Sequence, residues 1–239
     1  MSKSLVIIPT YNEKENISDI IAYIFNLYAN FHILVVDDNS PDGTSEIVKN
    51  LQKNFPKKLF LLERKQKEGL GKAYIAGFKW ALNNGYDYIF EMDADFSHPP
   101  KDLIKLLEVL EKDEADISIG SRYLKGKINV VNWDLKRILL SYFASLYVRL
   151  ITGLPVKDTT AGFVGYKKEV LQAFDFHQIE FVGYAFQIEM KYKAWKKGFR
   201  LKEIPIVFVD RIKGQSKMSG AIINEAIWGV LKMKFKKVK

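Results

Sequence analysis

Short apolar runs alternate with amphipathic segments through the first 120 residues of the chain. The runs lie at 4–9, 32–37, 59–63, 88–92 and 116–120, and segments with helical spacing lie between them at 15–28, 44–55, 71–83 and 100–112. A continuous apolar run is typical of a strand that is buried on both faces. Strands that alternate with helices predict an α/β fold, with a mainly parallel sheet and helices on both of its faces.

The second half of the chain is less regular. The pattern predicts an amphipathic helix over 134–152, a loop and strand over 158–166, a helix over 181–197 and a strand over 201–209. A basic Gly/Ser loop at 211–219 leads into a helix over 220–239, with five Lys among the last eight residues. Because no internal repeat or low-complexity linker interrupts the chain, we expect a single domain over 1–239.

Composition excludes several classes of site. The chain has no Cys, which excludes disulfides, a thiol nucleophile and Cys-ligated metal centres. A three-His zinc site would need every His in the chain, namely His32, His98 and His177,. The N-terminus lacks the apolar segment of a secretory signal. No run reaches the roughly 18–20 apolar residues that cross a bilayer, so we expect no membrane span.

Charge divides the chain into two unlike halves. Residues 1–120 carry 14 Lys/Arg and 19 Asp/Glu, whereas residues 121–239 carry 23 and 9, within a total of +9. An acidic half suits a metal ion, and a basic half suits phosphates or an anionic surface. A simpler explanation of the basic second half is that its solvent-exposed helices are rich in Lys. Nucleic acid is not expected as a partner, because the chain has no zinc-finger spacing and no RNA-recognition aromatic motif.

Acidic residues follow two of the predicted strands. Asp93-Ala94-Asp95 comes directly after 88–92, and Asp37-Asp38 ends 32–37. Two carboxylates one residue apart can share a divalent ion, and hard oxygen ligands favour Mg²⁺ or Mn²⁺ completed by water and substrate phosphates. A solvated acidic turn is the alternative. Ligands of parallel sheets bind outside the carboxyl ends of the strands, so these turns are expected to lie together.

The ordered set of motifs resembles one known family. They are PTYNE (9–13), DDNSPDGT (37–44), GLGKAYIAGF (69–78), MDADFSHPP (92–100), GSRY (120–123), DTTAGFVGY (158–166), GYAFQIEM (183–190) and RIKGQSKMS (211–219). The chain is similar to the dolichyl- or polyprenyl-phosphate mannosyltransferases of glycosyltransferase family 2, in the type without C-terminal transmembrane helices. The resemblance implies the GT-A fold, which is a Rossmann-like α/β fold, a GDP-mannose donor and a polyprenyl (dolichyl-type) monophosphate acceptor.

The resemblance also implies roles for individual residues on the donor side. The expected donor-binding residues are Pro9, Tyr11, Glu13, Val36, Asp38, Asp93 and Ala94. Asp93 and Asp95 would hold Mg²⁺ or Mn²⁺, and Asp95 is also expected to be catalytic. Some relatives have Gln at the position of Ser97, and the shorter Ser would reach the metal through a water. His98, between these residues and two prolines, is expected to be structural.

On the acceptor side the implied residues are basic. Arg122, Arg211 and Lys217 match catalytic positions that face phosphates, and Arg211 and Lys217 would close over the diphosphate as part of a loop. Arg137 and Ser141 match the acceptor-phosphate site, and their spacing puts both on one helix face. An interfacial arginine that reaches toward the lipid headgroups is the alternative for Arg137.

The expected reaction inverts the anomeric carbon and gives a polyprenyl β-mannosyl phosphate. A phosphate monoester has a second pKa of about 6, so this acceptor needs no general base. We expect peripheral binding to the cytoplasmic face of a membrane through helices 132–152 and 220–239, with apolar contacts from Trp133, Leu139, Tyr142, Phe143 and Leu146. A core or dimer interface is the alternative for the first helix. A UDP-glucose donor and a separate membrane subunit also stay open.

Overall fold

The secondary structure follows the alternating pattern of the sequence. A computed structural model describes residues 2–27, 30–124, 126–210 and 220–235. The strands are β1 (Ser4–Thr10), β2 (Phe31–Asp37), β3 (Leu59–Glu63), β4 (Tyr88–Glu91), β5 (Ile117–Ser121), β6 (Val130–Val131), β7 (Val164–Lys167), β8 (Leu201–Pro205) and β9 (Phe208–Val209). The helices are α1 (Ile17–Phe25), α2 (Thr44–Gln52), α3 (Leu70–Asn83), α4 (Leu103–Glu111), α5 (Leu135–Thr152), α6 (Lys168–Gln172), α7 (Tyr184–Lys196) and α8 (Gly220–Phe235).

One sheet of seven strands organises the described residues, in the order β3-β2-β1-β4-β7-β5-β8. β7 is antiparallel to its neighbours β4 and β5, and the other neighbours pair in parallel. Because β7 separates them, β4 and β5 run in the same direction, and their carboxyl ends lie at the same edge as those of β1 and β2. We call this the carboxyl edge. The chain also enters β7 from the carboxyl edge.

Successive side chains of the central strands pack into clusters on opposite faces of the sheet. In β1, Leu5 and Ile7 join a cluster with α3, α6 and α7, whereas Val6 and Ile8 join a cluster with α1, α2 and α4. All four side chains are fully buried, as expected of a strand with helices on both faces. The predicted α/β architecture is therefore confirmed.

Helix α5 lies against α7 and α8 at the side of this core. Val148 of α5, Ile188 and Tyr192 of α7, and Val230 and Met233 of α8 form a separate buried cluster. The Asp134 side chain caps the start of α5 by accepting the N–H of Arg137 at 2.7 Å,. The helix ends at Gly153, whose φ of 74° is a left-handed conformation that favours glycine,.

Several element boundaries differ from the sequence prediction. The strand expected over 201–209 is split into β8 and β9, because the chain leaves β5 after Pro205 and pairs with β6 instead. The helix expected over 100–112 opens with a 3₁₀ turn, Pro100–Asp102, before α4. The antiparallel β7 and the two-stranded sheet of β6 and β9 were not predicted. The loop at 211–219 falls outside the described residues, and the single domain over 1–239 stays a prediction.

Candidate active site

The turns after β1 and β2 are joined by hydrogen bonds at the carboxyl edge. Asp37 accepts from the Thr10 hydroxyl at 2.7 Å and from the Ser40 hydroxyl at 2.6 Å. The Ser40 hydroxyl oxygen in turn accepts the backbone N–H of Asn12 at 3.0 Å, and the Thr44 hydroxyl oxygen accepts that of Glu13 at 3.0 Å. These bonds hold PTYNE against DDNSPDGT, so the predicted donor residues of both motifs lie side by side.

Asp38 lies beside this pair of turns in a mostly buried ion pair. Its Oδ1 accepts from Nη1 of Arg64 at 2.7 Å, and the two side chains are 7% and 11% exposed. Burial raises the pKa of Asp38 above its ordinary value and outweighs the lowering by Arg64,. Nearby, the Lys67 ammonium lies 4.3 Å from the centre of the Tyr11 ring. Pro9 is half-buried, and the Val36 side chain belongs to the core.

Residues 93–98, here the acidic turn, follow β4. The Asp93 side chain is 39% exposed, whereas Asp95, Ser97 and Ala94 are buried. Oδ1 of Asp95 accepts the backbone N–H of Ser97 at 3.0 Å. Phe96 has a φ of 60°, a left-handed conformation that reverses the chain here,. The turn therefore brings two carboxylates to the carboxyl edge with one of them open to solvent.

His98 packs against the backbone of the acidic turn. Its Nδ1 accepts the backbone N–H of Asp93 at 3.1 Å, and its ring stacks on Phe163 with centroids 5.1 Å apart. The ring therefore fixes the backbone at Asp93.

The donor set of the acidic turn fits a divalent ion that takes few ligands from the protein. Mg²⁺ and Mn²⁺ prefer oxygen ligands, and Mg²⁺ commonly uses one or two carboxylates with substrate phosphates completing its shell. Asp93 and Asp95 supply such carboxylates. No group of three or more His, Asp or Glu side chains suited to a metal occurs among the residues that the structure describes. Ser97, two residues after Asp95, is buried. Its role as a metal ligand stays a prediction.

Arg122, which follows β5 at the same edge, is held by Asp158. Its Nε and Nη2 donate to the two carboxylate oxygens of Asp158 at 2.7 and 2.6 Å, and its backbone N–H donates to Oδ2 at 2.9 Å. Nη2 also donates to the Thr160 hydroxyl at 2.9 Å. Burial raises the pKa of Asp158, but Arg122 lowers it more, so the net shift is downward,. The plane of the Arg122 guanidinium is therefore fixed by a bidentate ion pair that is almost fully buried from solvent.

Trp133 lies between the two predicted phosphate-binding arginines. The guanidinium carbon of Arg137 is 4.2 Å from the centre of the Trp133 ring, and that of Arg122 is 5.4 Å from it. Both distances are in the range of cation–π contacts. Nη1 of Arg137 also donates to Asp210 at 2.6 Å. The partly buried ring thus lies close to both positive charges, and its expected contact with a membrane stays a prediction.

Ser141 is joined to the same group of side chains. Its hydroxyl oxygen accepts from the Tyr123 hydroxyl at 2.7 Å, and Arg137 lies one helical turn before it on α5. The predicted common face of Arg137 and Ser141 is therefore directed toward Arg122 and Tyr123. Phe208 connects this side to the acidic turn, because its ring is 5.6 Å from the Arg122 guanidinium and 5.7 Å from the His98 ring.

A buried polar network lies between the acidic turn and the segment that holds Arg122. Nε2 of Gln187 donates to Oε2 of Glu91 at 2.6 Å, and both side chains are buried. Lys191 is fully buried, and its ammonium donates to the backbone carbonyls of Ala161 at 2.6 Å and Thr159 at 3.3 Å. Burial raises the pKa of Glu91 and lowers that of Lys191,.

Sequence reasoning found part of this arrangement. The structure gathers the predicted residues of β1, β2, β4 and β5 at one edge, whereas Arg211 and Lys217 lie outside the described residues. Asp158, Trp133 and Lys191 were not predicted as site residues. Asp158 carried a signal, since it opens the motif DTTAGFVGY; Lys191 carried none. Gly71 of GLGKA has a packing role, because a Cβ there would lie 2.8 Å from the Phe186 ring.

Comparison with known proteins identifies the family. The family model for glycosyl transferase family 2 matches residues 5–174. The chain belongs to glycosyltransferase family 2. The polyprenol monophosphomannose synthase of Mycolicibacterium smegmatis is 44% identical over 233 residues, which cover 95% of this chain and 87% of the relative. The undecaprenyl-phosphate mannosyltransferase of Micrococcus luteus is 44% identical over 231 residues, which cover 95% and 93%.

The resemblance inferred from the motifs is therefore confirmed, and the protein is a glycosyltransferase. A solved structure supports the fold of this family 2 glycosyltransferase. It is glucosyl-3-phosphoglycerate synthase from Mycobacterium tuberculosis in complex with Mn²⁺ and uridine-diphosphate-glucose. The likeness has a TM-score of 0.69 at 16% identity and covers 97% of this chain and 77% of the other. It confirms the GT-A-type fold. Within the described ranges, this glycosyltransferase has no helix of the length and hydrophobicity needed to traverse a bilayer.

Proposed function

We propose that this glycosyltransferase moves mannose from GDP-mannose to a polyprenyl monophosphate with inversion, giving a polyprenyl β-mannosyl phosphate. The observation that carries the proposal is the placement of Asp93 and Asp95 at the same sheet edge as Arg122 and Arg137, whose guanidinium groups share the Trp133 ring. Such a site suits two phosphorylated substrates that must approach each other. Both relatives at 44% identity are named for polyprenyl-phosphate mannosyl transfer, which supports the sugar and the acceptor.

The donor would lie across the turns after β1, β2 and β4. Pro9, Tyr11, Glu13 and Asp38 would line the nucleoside pocket, with Val36 contributing its backbone because its side chain is buried. Asp93 and Ala94 would contact the nucleotide. Asp93 and Asp95, with Ser97 through a water, would hold Mg²⁺ or Mn²⁺. When bound, the ion stabilises the negative charge that builds on the departing diphosphate. Hydrogen bonds from Thr10 and Ser40 to Asp37 support this region by holding the first two turns together.

The acceptor phosphate can act as the nucleophile without a general base. Because the second pKa of a phosphate monoester is about 6, most of it is a dianion at neutral pH. One phosphate oxygen forms a bond to the anomeric carbon while the bond from that carbon to the diphosphate breaks, and GDP leaves. Arg122, Arg137 and Ser141 would receive the acceptor phosphate, with Arg211 and Lys217 closing over the diphosphate. The role of these cations is to reduce repulsion between the two anions and to stabilise the transition state.

An exposed apolar surface beside Arg137 supports peripheral binding to a membrane that carries the acceptor. We call it the outer apolar face. Its members are at least 42% exposed, and they are Leu135, Leu139, Leu140, Tyr142, Phe143 and Leu150 of α5 with Trp228 and Phe235 of α8. Exposed basic residues Lys136, Arg149 and Lys234 accompany it. Each basic residue near an anionic surface is worth about 1 kcal/mol, and the apolar side chains add burial energy. The cytoplasmic leaflet is the proposed location.

Transfer of label to lipid tests the donor and the acceptor. Radiolabelled GDP-mannose and UDP-glucose are incubated in parallel with polyprenyl phosphate and Mg²⁺ or Mn²⁺, and the lipid phase is counted. We expect label from GDP-mannose only, abolished by a chelator and by Asp95→Asn, and unchanged by Asp87→Asn at the opposite sheet edge. Label from UDP-glucose alone would contradict the proposed donor. The coupling constant of the anomeric centre in the product tests inversion.

Flotation with lipid vesicles tests the membrane part. We expect the protein to float with vesicles that contain phosphatidylglycerol, and less so at high salt or after removal of residues 232–239. Phe143→Ser with Leu150→Ser is expected to abolish flotation, whereas Tyr23→Ser, which changes an exposed aromatic on α1, is the control. Flotation that neither salt nor the double substitution changes would refute this surface.

A further inference from the structure

A fully buried cation lies behind the site, and within the described residues its hydrogen bonds go to neutral oxygens. Lys191 is 0% exposed, and its ammonium donates to the backbone carbonyls of Thr159, Ala161 and Gln187 and to the side-chain oxygen of Gln187 at 3.4 Å. Burying an ammonium group is costly unless its hydrogen bonds are satisfied. The contacts of Lys191 therefore indicate which parts of the site its buried ammonium group stabilises.

The first set of contacts leads to Arg122. We call residues 158–162 the bridging segment. Lys191 donates to the carbonyls of Thr159 and Ala161 within it, at 3.3 and 2.6 Å. The same segment supplies the Asp158 carboxylate and the Thr160 hydroxyl that accept from Arg122. The Lys191 ammonium therefore fixes the backbone from one side while Arg122 is fixed by side chains of the same residues on the other.

The second set of contacts leads to the acidic turn. Gln187, one helical turn before Lys191, donates to Glu91 at 2.6 Å, and Glu91 ends the strand from which the acidic turn continues. The bridging segment also runs beside His98, because a Cβ on Gly162 would lie 3.6 Å from Cε1 of that ring. His98 holds the backbone N–H of Asp93. One face of α7 thus contacts both the bridging segment, which holds Arg122, and Glu91, which precedes the acidic turn.

We propose that Lys191 is a positioning residue for the transfer reaction: it holds the bridging segment, and through it Arg122, in register with the acidic turn. The inference rests on the proposed function, in which these two sides bind the two phosphorylated substrates. The donor pocket of β1 and β2 is built without Lys191. Its loss therefore changes the alignment of the reacting groups more than the binding of the nucleotide. Misplacement by about 1 Å can lower turnover about 100-fold.

Lys191→Met removes the charge and keeps the length of the side chain. We expect kcat to fall at least about tenfold, with KM for GDP-mannose within about threefold of wild type, because alignment rather than binding is lost. Lys193→Met is the matched control on the same helix, since Lys193 bonds Gln178 and Glu189 away from the site. Hydrogen exchange of peptides that span 157–163 is expected to accelerate in Lys191→Met and not in Lys193→Met.

A second variant separates positioning from charge balance. In Lys191→Met the buried Glu91 loses its favourable charge interaction with Lys191, and Lys191→Met with Glu91→Gln removes the acidic group that needs it. We expect the double variant to recover thermal stability but to keep the low kcat and the fast exchange. A double variant that regains wild-type kcat would overturn the proposal, as would failure of both chains to fold. If the wild type itself transfers no mannose, the proposed function fails, while hydrogen exchange still tests the inference.

Discussion

The acidic and basic sides of the site hold their charged groups by different means. On the acidic side, Asp37 is oriented by the hydroxyls of Thr10 and Ser40, and Asp95 by the backbone N–H of Ser97. On the basic side each arginine meets a carboxylate, Arg122 with Asp158 and Arg137 with Asp210. These hydroxyl and backbone donors orient the two carboxylates, whereas Asp38 is held by an ion pair with Arg64. Carboxylates offset the positive charge of the arginines before any phosphate arrives.

The comparison shows that net charge along the sequence does not measure the charge of a site. The second half of the chain has 23 basic and 9 acidic residues, yet the two site arginines are matched by two carboxylates. What the carboxylates add is orientation, because a bidentate partner fixes the plane of a guanidinium group. Other basic residues, such as Lys136 and Arg149, lie on exposed surface near the outer apolar face.

The largest effect is expected from breaking a carboxylate partner on the basic side. Asp158→Asn leaves the buried Arg122 without its counter-charge, which costs about 3–5 kcal/mol in the free energy of unfolding. Chemical denaturation measures this loss, with the exposed Asp19→Asn as control. Because Arg122 lowers the pKa of Asp158, the stabilisation by this ion pair is fully present above the ordinary carboxyl pKa. It is lost as the pH falls through the lowered pKa of the folded protein. A loss no larger than that of Asp19→Asn would show that the basic side needs no fixed partner.

The acidic side is expected to respond in turnover rather than stability. Asp93→Asn changes a side chain that is 39% exposed, so the unfolding midpoint should stay near that of wild type. Turnover should fall at least about 100-fold, because charge stabilisation on the departing diphosphate is lost. Steady-state kinetics across a Mn²⁺ titration measure the change, with Asp87→Asn as control. Equal turnover of Asp93→Asn and wild type would remove the metal role from this side.

Trp133 allows a finer test of how the basic side gathers its two arginines. Trp133→Leu removes the ring face, and we expect KM for the acceptor phosphate to rise about tenfold, as a partly desolvated cation–π contact is worth about 1–2 kcal/mol. Trp133→Phe keeps a ring and should change KM less. Trp80→Leu, which removes a partly buried indole of α3 that stacks on Tyr86, controls for loss of an indole. Equal effects of Leu and Phe at position 133 would assign the role to volume rather than to the ring.

The smallest effect is expected far from both sides, in an ion pair at the opposite sheet edge. Hydrogen bonds from Arg200 lower the pKa of Asp116 from 3.8 to about 2. Since the folded pKa is depressed, the stabilisation is present above pH 3.8 and is lost as pH falls toward 2,. Asp116→Asn should therefore destabilise the protein slightly at pH 7 and not at pH 2, measured by urea denaturation. Solvent screening keeps this effect below that of Asp158→Asn. A pH-independent difference would contradict the assignment.

Much of the fold was predictable because buried parallel strands leave a strong local signal. The runs at 4–9, 32–37 and 59–63 are apolar except at their ends, and each became a strand within a residue or two of its predicted ends. The turns after β1, β2 and β4 were placed at one edge for the same reason. β7 was not recognised as antiparallel, because four residues of VGYK carry no sign of direction, which the long connection before them decides.

The acceptor side was less predictable because its residues come from distant parts of the chain. Arg122 and Asp158 are 36 positions apart, and Arg137 and Asp210 are 73 apart. Nothing in the local pattern at Trp133 distinguishes a ring between two arginines from a ring on an exposed apolar surface. The reason is that helical spacing assigns a face to a side chain but does not say what covers that face.

The sequence by itself determined the alternation of strands and helices, the acidic turn and membership of glycosyltransferase family 2. These properties depend on short-range patterns, in which apolar periodicity and ordered motifs are read along the chain. Only the tertiary structure decided that Asp158 and Asp210 hold the arginines, that Trp133 lies between them and that Lys191 is fully buried behind the bridging segment. Such pairings arise when the sheet brings remote residues together, and their strength comes from burial, which a sequence position alone does not carry.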